Sequence, residues 1–182
     1  MVAPRKSSRK APRPIRGRSF IIVGDFNQNL LCNIYRWLDK GKSSDLVTFV
    51  VNSGGGYADV GSSLYDLLTP WRTAGRLRTV ATGQVASAAA MFVATGSPGQ
   101  RFITPHAFLG MHECGVETDS DPAVYAQQTG LLERQNAMDY AILEEVTGTR
   151  AATWRKRLYA RSMVWYDAEE AKAAHLVDGV LG

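Results

Sequence analysis

Leu46 to Val51 reads LVTFVV and runs directly into Asn52-Ser53-Gly54-Gly55-Gly56. A short apolar, β-branched run bounded by glycine is the pattern of a buried strand. Val60, Leu64, Leu67 and Leu68 then recur at helical spacing, and Pro70 is expected to end that helix. The unit is therefore strand, glycine loop, helix. The same order appears upstream. Phe20-Ile21-Ile22-Val23 reads as a buried strand, followed by Leu30, Leu31, Ile34, Tyr35 and Leu38 on a helix. Asp25 or Asn27 would cap that helix, and Gly41 would end it.

Downstream, Arg78–Thr82 reads as a third strand and Ala86–Ala94 as a small, buried helix. Arg101–Thr104 and Ala107–Met111 read as two more strands around Pro105. A long helix is expected from Pro122 to Val146, with Val124, Leu131, Met138 and Ile142 along one stripe, Asp121 as N-cap and Gly148 as stop. A last helix begins at Asp167-Ala168-Glu169-Glu170, with Asp167 as N-cap. Strands alternating with helices predict α/β architecture with a largely parallel sheet. In such sheets the loops after the strand ends build the binding crevice. The glycine run 54–56 and the segment beginning Gly83-Gln84 both occupy such positions.

The 182 residues are 45% hydrophobic and 21% charged, which excludes a wholly disordered or fibrous chain. The longest nearly apolar run, Val85–Ala94, is far short of the roughly 20 residues of a membrane span. No segment reads as a signal peptide. Two cysteines, Cys32 and Cys114, make no disulfide framework, so a reducing, cytoplasmic setting is expected. No set of residues has metal-ligand spacing, and no cofactor motif occurs; the glycine run lacks the spacing and the lysine of a nucleotide-binding loop.

Charge is unevenly placed. Residues 1–18 hold seven basic residues, three prolines and no acid. The 21 basic residues less these seven leave 14 against 17 acids, a balance of −3 for the body. Residues 1–18 therefore read as a disordered basic arm, and 19–182 as one folded domain. Such an arm attracts phosphates or acidic protein surfaces, or only solubilises the chain. Nucleic-acid binding is not expected, because the mildly acidic body shows no second basic stripe.

Three segments carry candidate chemistry. In Gly54-Gly55-Gly56 no Cβ hinders the approach of backbone N–H groups to a ligand or an oxyanion, although a tight turn explains the glycines equally. Ser87, in Gly83-Gln84-Val85-Ala86-Ser87-Ala88, is surrounded by small residues at a helix start. It is either an N-cap or a nucleophile beside unpaired N–H groups and the positive end of a helix dipole. His112 ends a strand and is a candidate base for such a serine. Cys114, two residues on, is a packed thiol or the nucleophile of a Cys–His pair. His106 falls in a turn. His175 falls in the last helix, where a surface role is the default.

Together these segments resemble the ClpP family, the proteolytic subunit of the Clp protease, over about Phe20 to Val180. Val51-Asn52-Ser53-Gly54-Gly55-Gly56 is similar to its Asn-Ser-Pro-Gly-Gly loop, and Gly83 to Ala88 to its nucleophile segment. Gly110-Met111-His112-Glu113 is similar to its histidine strand, and Thr147-Gly148 with Ala168 to Lys172 and Leu176-Val177-Asp178 to its C-terminal pattern.

The resemblance implies an α/β ClpP/crotonase-like fold, a repeated β-β-α spiral with a long handle helix at Pro122–Val146. It implies a serine endopeptidase cleaving unfolded or extended peptides inside an oligomeric ring, heptameric or double. Ser87 would be the nucleophile, His112 the base, and the N–H groups of Gly55 and Ala88 the oxyanion hole. Gly56 and Tyr57 would bind substrate. No cofactor or membrane is implied; a separate ATPase unfoldase or a paralogous subunit would be the partner.

Two departures stand out. The family's triad aspartate falls at Met163, and residues 151–166 contain no Asp or Glu. Methionine cannot orient an imidazole, so the alternative is a non-catalytic or weakly active ring subunit. The basic arm also replaces the N-terminal loop with which the family meets its ATPase. Val164-Trp165-Tyr166 is similar to Clp-like proteins of phage origin. An acyl-CoA enzyme of the crotonase type shares the fold and the oxyanion loop, but the Ser87 and His112 segments argue against it.

Overall fold

The structure is a computed structural model that describes residues 17–115, 122–159 and 162–181. The first 16 residues of the expected arm, and Asp121 as a cap, lie outside the described residues. Along the chain run β1 (Arg18–Val23), α1 (Gln28–Asp39), β2 (Val47–Ser53), α2 (Ala58–Thr73), β3 (Leu77–Ala86), α3 (Ala88–Ala94) and β4 (Arg101–Ile103). Then come β5 (Phe108–Met111), α4 (Pro122–Thr147), α5 (Ala151–Leu158), β6 (Val164–Tyr166), α6 (Ala168–Ala173) and β7 (Gly179–Val180). The expected α/β architecture with a parallel sheet is present. Strands pair in the order β1-β2-β3-β4-β7, all in parallel, while β5 joins β3 in parallel and β6 joins β5 antiparallel.

β3 is the strand that places the site. Its first half pairs with β4 through Thr79–Ala81, and its second half leaves β4 and pairs with β5 through Gln84–Ala86. The pairing with β2 breaks between Val51 and Ser53, and within the same stretch Gly83 takes φ 61°. A left-handed glycine inside a strand bends it and shifts its register. β3 thus carries Ser87 out of the main sheet and over to the β5 strand.

Several expectations change. Arg18, counted with the arm, opens β1 and stacks on Trp37 with its guanidinium 4.3 Å from the ring. β1 is not a buried strand. It is the sheet edge, with one face on the core at Ile22, while Ile21 is 69% and Val23 75% exposed. α2 does not stop at Pro70. The missing proline N–H would have met the Asp66 carbonyl, and both residues lie on the exposed face, where that carbonyl is open to solvent. The buried face continues unbroken through Leu64, Leu68 and Arg72.

On α4 the expected apolar stripe is largely exposed, with Leu131 at 69% and Met138 at 43%. The core is met by Tyr140, Ile142 and Leu143. His175 lies past the end of α6, at φ 59°, where its carbonyl accepts from Arg101. Asp167 caps α6 as expected, in a full capping box with Glu170. Helix α5 and the short strands β6 and β7 are additions. α5 is pinned by the buried Trp154, whose Nε1 donates to Thr147 Oγ1 at 3.0 Å.

Behind the sheet ends lies an aromatic cluster. Phe26 and Phe49 both meet Phe92 edge to face, at 5.7 and 5.3 Å between centroids. Phe92 belongs to α3, so this cluster fixes the helix that begins beside Ser87.

Candidate active site

Ser87 sits between the last residue of β3 and the first of α3, with φ 55° and ψ −131°. An N-cap serine adopts extended dihedrals and accepts from an N–H of the first turn. Ser87 does neither: its φ is positive, and its side chain makes no cap hydrogen bond. The turn is held instead by the backbone, with Ser87 N–H donating to the Gly110 carbonyl at 2.8 Å. A non-glycine residue held there costs about 1–3 kcal/mol, which the surrounding packing must offset. The result is a half-buried hydroxyl presented to a cleft.

The glycine loop packs directly against this turn. A Cβ placed on Gly55 would fall 2.6 Å from Ser87 Cβ and 3.2 Å from Ala88 N, and Gly55 itself has φ 106°. Only glycine fits there. Ala88 is the first residue of α3, so its N–H is one of the helix's unpaired donors. The Gly55 N–H donates to Ser53 Oγ at 3.1 Å, and that hydroxyl in turn donates to the Gly24 carbonyl at 2.6 Å.

Phe26 bridges to Gly56 in parallel, taking the Gly55 carbonyl and the Tyr57 N–H, both at 2.8 Å. In such pairing successive residues direct their backbone groups to opposite sides. The N–H and C=O of Gly56 therefore point away from Phe26, and Gly56 and the exposed Tyr57 both line the cleft.

His112 follows β5 and lines the same cleft as Ser87. β5 pairs with β6 as Leu109 with Tyr166, Gly110 with Trp165 and Met111 with Val164. The pairing ends there, and His112 and Met163 are the next residue on each strand. The two segments close tightly: a Cβ on Gly110 would meet Met163 Sδ at 2.9 Å and the Trp165 ring at 2.8 Å. Among the described residues no hydrogen bond engages His112.

Cys114 also lines the cleft, but as a poor nucleophile. Burial and the neighbouring Asp139 carboxylate push its thiol up to about 12. That environment disfavours the thiolate that a Cys–His pair would need. His106 is exposed in the turn before β5, and His175 is exposed after α6. Among the described residues no group of three His, Cys, Asp or Glu side chains is placed to hold a metal ion. No helix among them is long and apolar enough to cross a membrane.

The cleft measures about 1000 Å³ and runs between the Phe26–Tyr57 loops, α3, the His112–Gly115 segment and α4. Sequence reasoning missed its α4 wall. Asn136 accepts from Cys114 N–H at 2.8 Å and so ties the histidine segment to α4. One turn on, Asp139 accepts from Gln135 Nε2 at 2.9 Å and from the Cys114 thiol at 3.5 Å. The polar spacing of Gln135, Asn136 and Asp139 is the available signal, but on a long helix it reads as a solvated face.

Known proteins match this chain along nearly its whole body. The family model described as Clp protease covers residues 17–182. ATP-dependent Clp protease proteolytic subunit 1 of Chlamydia caviae is 30% identical over 152 residues, 80% of this chain and 75% of that protein. The same subunit of Chlamydia trachomatis serovar D is 32% identical, over 80% of this chain and 74% of that protein. Among solved structures, a ClpP1 mutant from Listeria monocytogenes superposes with a TM-score of 0.76 at 21% identity, covering 90% of this chain and 91% of that one. The chain, with its parallel sheet, strand-to-helix serine and glycine loop, belongs to the Clp protease family.

Proposed function

We propose that the chain is a ClpP-type serine endopeptidase with Ser87 as nucleophile and His112 as base. The observation that carries the reading is the backbone of Ser87, at positive φ and with its hydroxyl released from capping, inside the cleft that His112 also lines. An extended peptide adds as a strand to Gly56, with Tyr57 beside it. His112 takes the Ser87 Oγ proton as the oxygen attacks the scissile carbonyl. The N–H groups of Ala88 and Gly55 receive the oxyanion, the latter sharing its hydrogen between Ser53 Oγ and the substrate. His112 then protonates the leaving amine, and the acyl-enzyme is hydrolysed by a water activated by the same imidazole.

Assembly into a homo-oligomeric ring, heptameric or stacked as two rings, is part of the proposal, as are cytoplasmic location and a separate ATPase partner. The exposed Leu131 and Met138 on α4 and Ile21 and Val23 on β1 are apolar surface suited to subunit contacts. The competing reading, a ring subunit with little or no catalysis, is favoured by Met163, the residue that follows the last β5–β6 pair on the strand facing the His112 segment. Turnover of a fluorogenic peptide by the purified oligomer decides between them. Cleavage that disappears in Ser87→Ala is expected; silence from an intact oligomer transfers the function to the non-catalytic reading.

A further inference from the structure

β5 loses its strand neighbours just before His112. Its pairing with β3 ends at Gly110, and its pairing with β6 ends at Met111. The backbone that carries the imidazole into the cleft therefore has to be fixed from outside the sheet.

The support comes from α4. The side-chain amide of Asn136 accepts from the Cys114 N–H with Oδ1 at 2.8 Å and donates from Nδ2 to the Cys114 carbonyl at 3.4 Å. A hydrogen-bonded pair in an antiparallel sheet exchanges the same two bonds. Asn136 thus takes the place that a strand residue would hold, two residues after His112. An amide suits this because it carries an acceptor and a donor side by side. One turn on, the Tyr140 hydroxyl donates to Glu113 Oε1 at 2.5 Å, and Tyr140 is itself buried. On the other flank, Gln135 Nε2 donates to Ser62 Oγ of α2 at 3.0 Å. α4 is fixed on both sides of Asn136, so the amide stands on a rigid support. Packing does not explain Asn136: α4 meets the core through Tyr140, Ile142 and Leu143.

We infer that Asn136 is a positioning residue for the base: its amide holds Cys114, and through it the backbone on which His112 meets Ser87. The inference rests on the proposed reading of His112 as base for its effect on turnover, but not for its effect on the imidazole itself. A reacting group displaced by about 1 Å costs about 10²-fold in rate. That lies within the roughly 10²–10⁴-fold that a positioned base supplies.

The test compares the assembled full chain with Asn136→Leu, which keeps the approximate volume of the side chain and removes both hydrogen bonds. For a fluorogenic peptide, kcat is expected to fall about 10²-fold with KM held within about twofold, the split of a group that serves the transition state and not substrate binding. Exchange of the imidazole C2 hydrogen for deuterium is read by mass spectrometry on peptides that separate the three histidines. It is expected to become about threefold faster or more at His112 and to stay unchanged at the exposed His106 and His175. Trp154→Phe removes a buried hydrogen bond to Thr147 Oγ1 outside the cleft and controls for lost stability. It should lower Tm and leave the His112 exchange unchanged. An unchanged kcat, a rise in KM of the same size as the fall in kcat, an unchanged His112 exchange, or the same acceleration in Trp154→Phe overturns the inference. If Asn136→Leu does not assemble, Asn136→Ala replaces it with the same expectations. Failure of both to assemble also overturns it, because Asn136 would then serve folding. A wild type without turnover strikes the peptidase reading alone, since the His112 exchange still decides this one.

Discussion

The antiparallel pairing of β5 and β6 ends at Met111 with Val164, so His112 and Met163 are the next residue on each strand beyond the last pair. Directly opposed residues on such strands have Cβ atoms about 4.5–5.5 Å apart. A carboxylate at this position would be within reach of the imidazole; a thioether there neither accepts its N–H strongly nor stabilises the imidazolium.

Met163→Asp is therefore expected to raise kcat toward small peptides, within the roughly 10⁴-fold that an orienting aspartate contributes in serine proteases. Steady-state kinetics of both proteins check this. A fall in kcat in a well-assembled variant would mean that His112 already has another orienting group, which the introduced carboxylate disturbs.

Gly55→Ala is expected to abolish turnover and to lower stability by about 1–3 kcal/mol. The added methyl would lie 2.6 Å from Ser87 Cβ, on a backbone at φ 106°. Thermal unfolding and peptide cleavage, measured on one preparation, check both parts. Gly54→Ala is the control, because a Cβ there meets nothing within 4 Å.

The legible part of the molecule is the part written in local pattern. The LVTFVV strand, the Asn27 and Asp167 caps and the candidate residues all lie where short-range periodicity or residue type marks them. The illegible part depends on distant partners. Nothing local says that β3 leaves β4 for β5 at Gly83, yet that bend is what turns Ser87 from a cap into a hydroxyl facing the cleft. Pro70 reads as a stop because the sequence does not show which face of α2 meets water. Asp139 reads as solvated helix until Cys114 and Gln135 are brought against it.

Arg101→Leu is expected to cost about 3 kcal/mol, the lower end for a broken buried ion pair because Asp178 keeps contact with water. The buried guanidinium donates to both Asp178 oxygens and to the carbonyls of Val146 and His175. Burial alone would raise the Asp178 carboxyl, but the Arg101 hydrogen bonds and charge override it and hold it below its ordinary range. A depressed folded-state value means the contribution is full above the ordinary carboxylate range. It is lost as pH falls below about 4. Melting temperatures from pH 7 to pH 3 should show this acid-side loss in the wild type and a shallower one in Arg101→Leu.

The two thiols are expected to separate under alkylation. Iodoacetamide at pH 8 should modify the exposed Cys32 and spare Cys114, whose thiol is pushed up to about 12. Peptide mapping by mass spectrometry reads both sites. Equal labelling of the folded protein would contradict the environment described for Cys114.

Fluorophosphonate labelling of the intact oligomer, with the adduct mapped to a residue, puts the assignment of Ser87 as nucleophile to its sharpest trial. A single adduct on Ser87, lost in His112→Ala, is expected. An assembled protein that takes no label, or takes it on a residue other than Ser87, would refute that assignment.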